Sequence, residues 1–159
     1  MCVIAIVDAD SFTVLARRGS QGDELFLKWI KRGSGILAVP NTGQYFKELQ
    51  TNHGVMELIR RYDQGGQLWK ISKKQLIHSD SQIKKKNPQS NDTHILSLAF
   101  ASDAEVLCSN GGDLREDFQN KNILSGKGKQ RRLLYPYEGT RKQRREFLNR
   151  QRRPSRKDI

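Results

Sequence analysis

Residues 91–118, NDTHILSLAFASDAEVLCSNGGDLREDF, decide the fold class, because they place a helix, a strand and several carboxylates in one short run. Ile95, Leu96, Leu98, Ala99 and Ala101 give an apolar face at roughly helical spacing, with Asn91 or Asp92 where an N-cap belongs. Asp92 then lies at the positive end of the helix dipole. Glu105–Ser109, EVLCS, is too short and too closely bounded by turn residues for a second helix, and reads as a buried strand. It ends in Ser109-Asn110-Gly111-Gly112, a turn that leaves Asn110 and Asp113 just past the strand's carboxyl end. Open α/β sheets bind ligands outside the carboxyl ends of their strands, so chemistry is expected at this edge.

The chain before this stretch repeats the alternation. Val3–Val7, VIAIV, is a continuous β-branched run suited to a strand covered on both faces, and it ends in Asp8, with Asp10 two positions on. Ser11 is placed to cap a helix carrying Phe12, Leu15 and Ala16. Residues 22–32 read as an amphipathic helix with Leu25, Phe26, Trp29 and Ile30 inward, followed by the strand GILAV at 35–39. Pro40 and Thr42 open a helix bearing Tyr45, Phe46, Glu48 and Leu49; a further helix over 55–62 stops at Gly65-Gly66, and Leu68–Ile71 forms a third strand. Residues 73–86 are expected to be helical or a loose solvated connection, Leu114 and Phe118 mark a short helix, and 122–124 a last strand. Strands alternating with helices predict a three-layer α/β/α fold with a mainly parallel central sheet.

Composition narrows the class. The 159 residues are 35% hydrophobic and suit one domain with a modest core. No run approaches 18 apolar residues, and no basic segment precedes the apolar start, so neither a membrane span nor a secretory signal is expected; the default is a cytoplasmic protein. Cys2 and Cys108 are too few for a disulfide scaffold or a thiolate zinc site, and Cys108 reads as a buried hydrophobe. Trp29 and Trp69 read as core residues, and His94 as a helix-surface residue able to line a groove.

The formal charge of +12 is segregated: residues 127–159 hold 13 Lys and Arg against 3 Asp and Glu, while residues 1–126 hold 16 against 14. The expected organisation is therefore a domain over 1–126 and a basic extension over 127–159. Such a run is an electrostatic footprint for polyanions, with a solubilising tail as the alternative; lacking an apolar face, it favours RNA over a membrane. Lys127, Lys129, Arg131, Arg132, Arg141, Lys142, Arg144 and Arg145 are the candidate RNA-binding residues. Leu133–Tyr137 is expected to dock back, and residues 140–153 to form an exposed basic helix or to order on binding.

Asp8, Glu48, Asp92 and Asp113 all fall at strand ends or helix borders of one sheet edge in this arrangement. Carboxylates sharing a pocket raise one another's pKa unless cations compensate them. Hard oxygen ligands suit Mg²⁺ or Mn²⁺, which activate water and stabilise the charge growing on a phosphodiester during in-line displacement. Solvated loop carboxylates remain the alternative.

The strand ending in Asp8, Glu48 in a helix after Pro40, the Asp92-x-x-Ile95-x-x-Leu98-Ala99 helix and the Leu107-x-Ser109-Asn110-x-x-Asp113-Leu114 turn together resemble the PIN-domain ribonucleases over residues 3–124. The resemblance implies a metal-dependent endoribonuclease acting on single-stranded RNA and leaving a 5′-phosphate and a 3′-hydroxyl. By it Asp8, Glu48, Asp92 and Asp113 are catalytic and, with Asn110, hold Mg²⁺ or Mn²⁺; Asn110 stands where some members carry Asp, so one firmly held ion with a second recruited by substrate is equally compatible. The basic extension exceeds a minimal domain of this family and points to RNA, single-stranded or structured. A toxin of the VapC type would add an antitoxin-like inhibitor protein and a homodimer. Two other classes stay open: a non-catalytic RNA-binding protein with a vestigial metal site, and a phosphoacceptor or nucleotide-binding α/β domain suggested by Asp8 and Asp10. The last lacks a G-x-G-x-x-G after the first strand.

Overall fold

The computed structural model describes residues 3–20, 24–41, 43–124 and 132–151. They form a five-stranded, all-parallel sheet with helices around it, a three-layer α/β/α architecture as the alternation predicts. The strands are β1 (Val3–Val7), β2 (Gly35–Pro40), β3 (Leu68–Ile71), β4 (Val106–Cys108) and β5 (Leu133–Leu134), in spatial order β3-β2-β1-β4-β5. The helices are α1 (Ala9–Ser20), α2 (Leu25–Lys31), α3 (Gln44–Gln50), α4 (His53–Gln64), α5 (Lys73–Lys84), α6 (Thr93–Ser102), α7 (Gly112–Gln119) and α8 (Arg141–Arg150).

Strand order sets the location of the crevice. From β1 the chain moves outward through β2 to β3, then returns to β4 on β1's other side. The switch point therefore lies between β1 and β4, the two strands that end in Asp8 and Ser109. Val3, Ala5, Ile6 and Val7 of β1 and all three residues of β4 are at most 1% exposed, as expected for strands covered on both faces. Gly35 opens β2 because the Trp29 indole occupies the space above it; a Cβ there would stand 2.2 Å from Trp29 Cζ3.

Several expectations need correction. Asp8, not Ser11, caps α1: its Oδ1 accepts from the Ser11 backbone N–H at 2.8 Å. Residues 122–124 form a turn rather than a strand, since the N–H groups of Ile123 and Leu124 bond to the Asn120 carbonyl. Both side chains are buried, so their apolar character reflects packing without pairing. The fifth strand is instead Leu133–Leu134: Leu133 N–H donates to Glu105 O at 2.7 Å and Tyr135 N–H to Leu107 O at 2.9 Å. Of the two alternatives for residues 73–86 the helix holds, over 73–84, closed by a Ser72–Gln75 capping box and packed on α6 through Ile83 and Ser79. Trp69 lies on edge strand β3 and is 38% exposed, which removes it from the core, whereas Trp29 is buried.

The described part of the basic extension is built into the same core. Leu133 and Leu134 join the sheet, and Tyr135, Tyr137 and Leu148 pack in the cluster that contains β1. α8 lies on α2, so it is an ordered helix with one buried face. A buried charge cluster fastens it. Glu24, whose side chain is fully buried, caps α2 by accepting from Phe26 N–H at 2.9 Å, accepts from the Tyr135 hydroxyl at 3.3 Å, and faces Arg144 at 3.5 Å and Arg18 at 3.9 Å.

Candidate functional site

β1 and β4 pair in the register Ile6↔Leu107 and Val7↔Cys108, so one further step brings Asp8 opposite Ser109. The Ser109 hydroxyl donates to Asp8 Oδ2 across the switch point. Both Asp8 oxygens thus accept one hydrogen bond each, leaving lone pairs on a carboxylate that can take about four. Behind it the Tyr45 hydroxyl donates to the Val7 carbonyl, tying α3 to the end of β1. Burial pushes the Tyr45 phenol well up, and the negative charges of Asp8 and Glu48 push it further. Tyr45 is therefore a neutral donor that feels the charge of both acids.

Glu48 follows Tyr45 by three residues on α3 and shares its side of the helix. Its Oε2 is 3.9 Å from His94 Nε2, and the His94 ring lies against Tyr45 with centroids 6.1 Å apart. His94 consequently lines the site beside Glu48 and is more than a surface residue of α6.

Asp92 occupies the N-cap position of α6 but makes no side-chain cap hydrogen bond. Its backbone is held instead: the Asp92 N–H donates to Ser90 Oγ at 3.0 Å, and the buried Asp117 carboxylate accepts from Ser90 N–H at 2.7 Å and Gln89 N–H at 3.3 Å. Desolvation raises the Asp92 pKa above the ordinary carboxyl value; His94 opposes the shift, while Asp8, Glu48 and Asp10 add to it. Three acids from remote parts of the chain thus share one electrostatic environment, and Asp10 in the first turn of α1 joins them.

Asn110 and Asp113 stand differently. Both are exposed, Asn110 in the turn after β4 and Asp113 in the first turn of α7, and Asp113 is not among the charges acting on Asp92. Arg115 on the same helix donates to the Ser109 carbonyl at 2.8 Å and fixes the turn that carries them. Among the described residues, no three His, Cys, Asp or Glu side chains gather closely enough to form a metal-holding group. A cleft of about 600 Å³ lined by Val39, Phe46, Met56 and Arg60 includes none of the four candidate acids in its walls.

The basic candidates divide. Arg132 is turned inward with 9% of its side chain exposed, donating to the Ala104 carbonyl, pairing with Asp103 at 3.5 Å and lying over the Phe118 ring. Arg144 is 11% exposed and pairs with Glu24. Both are structural because buried acceptors need them, which counting charges cannot reveal. Arg141, Lys142 and Arg145 are exposed on α8, whereas Lys127, Lys129 and Arg131 lie outside the described residues. Among the described residues, no helix is long and apolar enough to cross a membrane.

Sequence reasoning missed Ser109, Tyr45 and Asp117. Ser109 was visible as the residue just after β4; Tyr45 and Asp117 carried no signal, because a buried aromatic and a helical Asp are ordinary until their partners are known.

Fold and site define a parallel α/β protein with acidic residues grouped at its topological switch point. No protein-family model, curated protein or solved structure matches this chain.

Proposed function

We propose that the chain is a metal-dependent endoribonuclease of the PIN-like kind, hydrolysing RNA phosphodiester bonds with Mg²⁺ or Mn²⁺. The observation that carries this reading is that Asp8, Glu48 and Asp92, from remote parts of the chain, meet at the sheet's carboxyl edge, where desolvation first and the charges of Asp8, Glu48 and Asp10 after it raise the Asp92 pKa. Carboxylates that destabilise one another in this way gain most from a divalent cation. The donor set fits a hard ion in its oxygen chemistry, and Asp8, Glu48 and Asp92 would have to draw closer together than they stand here to hold it, with Asn110 and Asp113 on the neighbouring turn. Bound there, the ion would lower the pKa of a water and offset charge on the scissile phosphate. The protein's own contribution is positional. Ser109 and the α1 N-terminus orient Asp8, Asp117 and Ser90 orient Asp92, and Tyr45 ties α3, which carries Glu48, to the end of β1. Exposed Arg141, Lys142 and Arg145 supply a grip on the RNA backbone. A cytoplasmic setting, an inhibitor protein over the crevice and a homodimer belong to the same proposal.

The direct test is cleavage of single-stranded RNA with Mn²⁺ or Mg²⁺, with and without EDTA, by the wild type, Asp8→Asn and Asp92→Asn. Loss of cleavage under EDTA and in both variants supports the reading; activity that survives all three treatments ends it.

The exposed position of Asp113, which is not among the charges acting on Asp92, favours a second reading, RNA binding without turnover. Salt-sensitive binding with no cleavage across several RNAs and both metals would select it.

A further inference from the structure

The cleft of about 600 Å³ opens on the same carboxyl edge as the acids, one strand further out. It lies between α3, α4 and the ends of β2 and β3, with Val39, Asn41, Phe46, His53, Met56 and Arg60 among its walls. Asn41 follows β2 directly, and its backbone N–H donates to the Ile71 carbonyl at the end of β3 at 3.0 Å, which ties the rim of the cleft to the strand ends. β2 in turn pairs with β1, the strand that ends in Asp8. α3 separates the two places. Phe46 and Glu48 are two residues apart on it, about 200° around the helix, so that one faces the cleft and the other the acids.

The walls join apolar surface to a few polar groups, the make-up of a small-molecule site. His53, Met56 and Arg60 recur at helical spacing on α4, which puts them on one stripe along the cleft. Phe46 is half-buried, and unlike Phe26, Tyr135 and Phe147 it stacks on no other ring among the described residues. The two acids in the walls are already paired, Glu57 with Arg61 at 2.7 Å and Asp63 with Lys70 at 2.8 Å. Arg60 is exposed and makes no hydrogen bond or ion pair among the described residues, so its charge is left uncompensated. A free aromatic face, an exposed carboxamide on Asn41 and a lone guanidinium match the three parts of a nucleotide: base face, base edge and phosphate. An apolar peptide would cover the walls and leave Arg60 without a counter-charge.

We propose that this cleft is a nucleotide subsite: one base of the RNA, turned out of its stack, lies on the Phe46 ring with its phosphate against Arg60, and the strand continues over α3 to the acids. The proposal rests on RNA being the substrate and adds the means by which it is selected. A base reaches Phe46 only when it is unpaired, so the cleft restricts substrates to single-stranded segments. It also sets position, because the seated nucleotide fixes which phosphodiester passes the acids.

The test is equilibrium binding, in EDTA so that no turnover intervenes, of two single-stranded RNAs of equal length, one carrying its bases and one abasic throughout. Four proteins are compared: wild type, Phe46→Leu, Arg60→Gln and the control Trp69→Leu, which removes an exposed ring outside the cleft, each checked for an unchanged melting curve. Stacking of a base on an aromatic ring is worth about 1–3 kcal/mol, so Phe46→Leu should bind the RNA with bases about 5- to 150-fold more weakly and the abasic RNA as the wild type does. Arg60→Gln should lower the slope of log K against log salt by ~0.7 for both RNAs, one single-strand phosphate contact. Wild-type affinity of Phe46→Leu for the RNA with bases overturns the subsite and leaves the cleft to an apolar peptide. An equal loss in Trp69→Leu overturns it as well, since that would mean diffuse stacking. Where Phe46→Leu does not keep its melt, the Arg60→Gln slope decides, and an unchanged slope overturns the subsite. Base-dependent binding without cleavage upholds the subsite while ending the nuclease reading, and cleavage without base-dependent binding ends the subsite alone.

Discussion

Asp92 shows how one residue can serve a site at the expense of its helix. A cap aspartate ordinarily accepts from the second or third helical N–H, worth about 1 kcal/mol, yet this side chain makes no such bond and bears the field of Asp8, Glu48 and Asp10. Its folded pKa lies above the unfolded one, so the fold favours the protonated form. The penalty is absent below the unfolded pKa, grows as pH rises towards the folded pKa, and is complete above it. In EDTA, Asp92→Asn should therefore raise Tm slightly at pH 7, with the gain vanishing at pH 3; exposure of Asp92 keeps the effect small. Thermal melts at the two pH values check this, and a lower Tm for the variant at pH 7 contradicts it. Ser109→Ala removes the hydroxyl that orients Asp8, and positioning partners of this kind are worth about 10–100-fold in metal affinity or activity. The expected result is a loss of that size in Mn²⁺-stimulated cleavage at unchanged Tm. Asp8, Glu48 and Asp92 were legible as candidates because strand ends and a helix start can be read from pattern. The Ser109 contact was not, since it depends on register between strands about a hundred residues apart.

Among the elements, α6 and α8 carry the consequences. The start of α6 is held by the buried Asp117 carboxylate through two backbone N–H groups. Hydrogen bonds to a charged group contribute about 1.5–3 kcal/mol, so Asp117→Ala should destabilise the fold by roughly that amount and loosen Asp92. Denaturant unfolding measures the first effect, and cleavage assayed well below the melting transition measures the second. α8 depends on Glu24. Glu24→Gln leaves Arg18 and Arg144 beside an uncharged amide, and breaking a buried pair costs about 3 kcal/mol or more. Denaturant unfolding of Glu24→Gln should show that loss, and an unchanged midpoint would mean that the cluster does not fasten the helix. Docking of residues 133–137 was legible from their apolar run, whereas charge dominates 140–153 and hid the buried face of α8. Phe147 and Leu148 acquire meaning only once α2 offers a surface to cover them. Trp69 erred in the opposite direction: hydrophobicity suggested the core, while sheet order made β3 an edge.

For the whole molecule, the alternation of short apolar strands with amphipathic helices was enough to give a parallel α/β sheet, because parallel strands covered on both faces leave little freedom in composition. Strand order was not readable, and it decides that β1 and β4 are neighbours and that their ends frame the crevice. Among the described residues, acids meet at the carboxyl edge while Lys28, Arg32 and Arg145 line a cleft towards the amino edge. The central claim is that the acids pool their charge so that a divalent ion is needed to relieve it, and calorimetric titration of Mn²⁺ into wild type, Asp8→Asn and Asp92→Asn tests it most directly. Saturable binding by the wild type, weakened at least about tenfold in each variant that retains a cooperative melt, is the expected result. Absence of binding by the wild type, or equal binding by all three proteins, would contradict it.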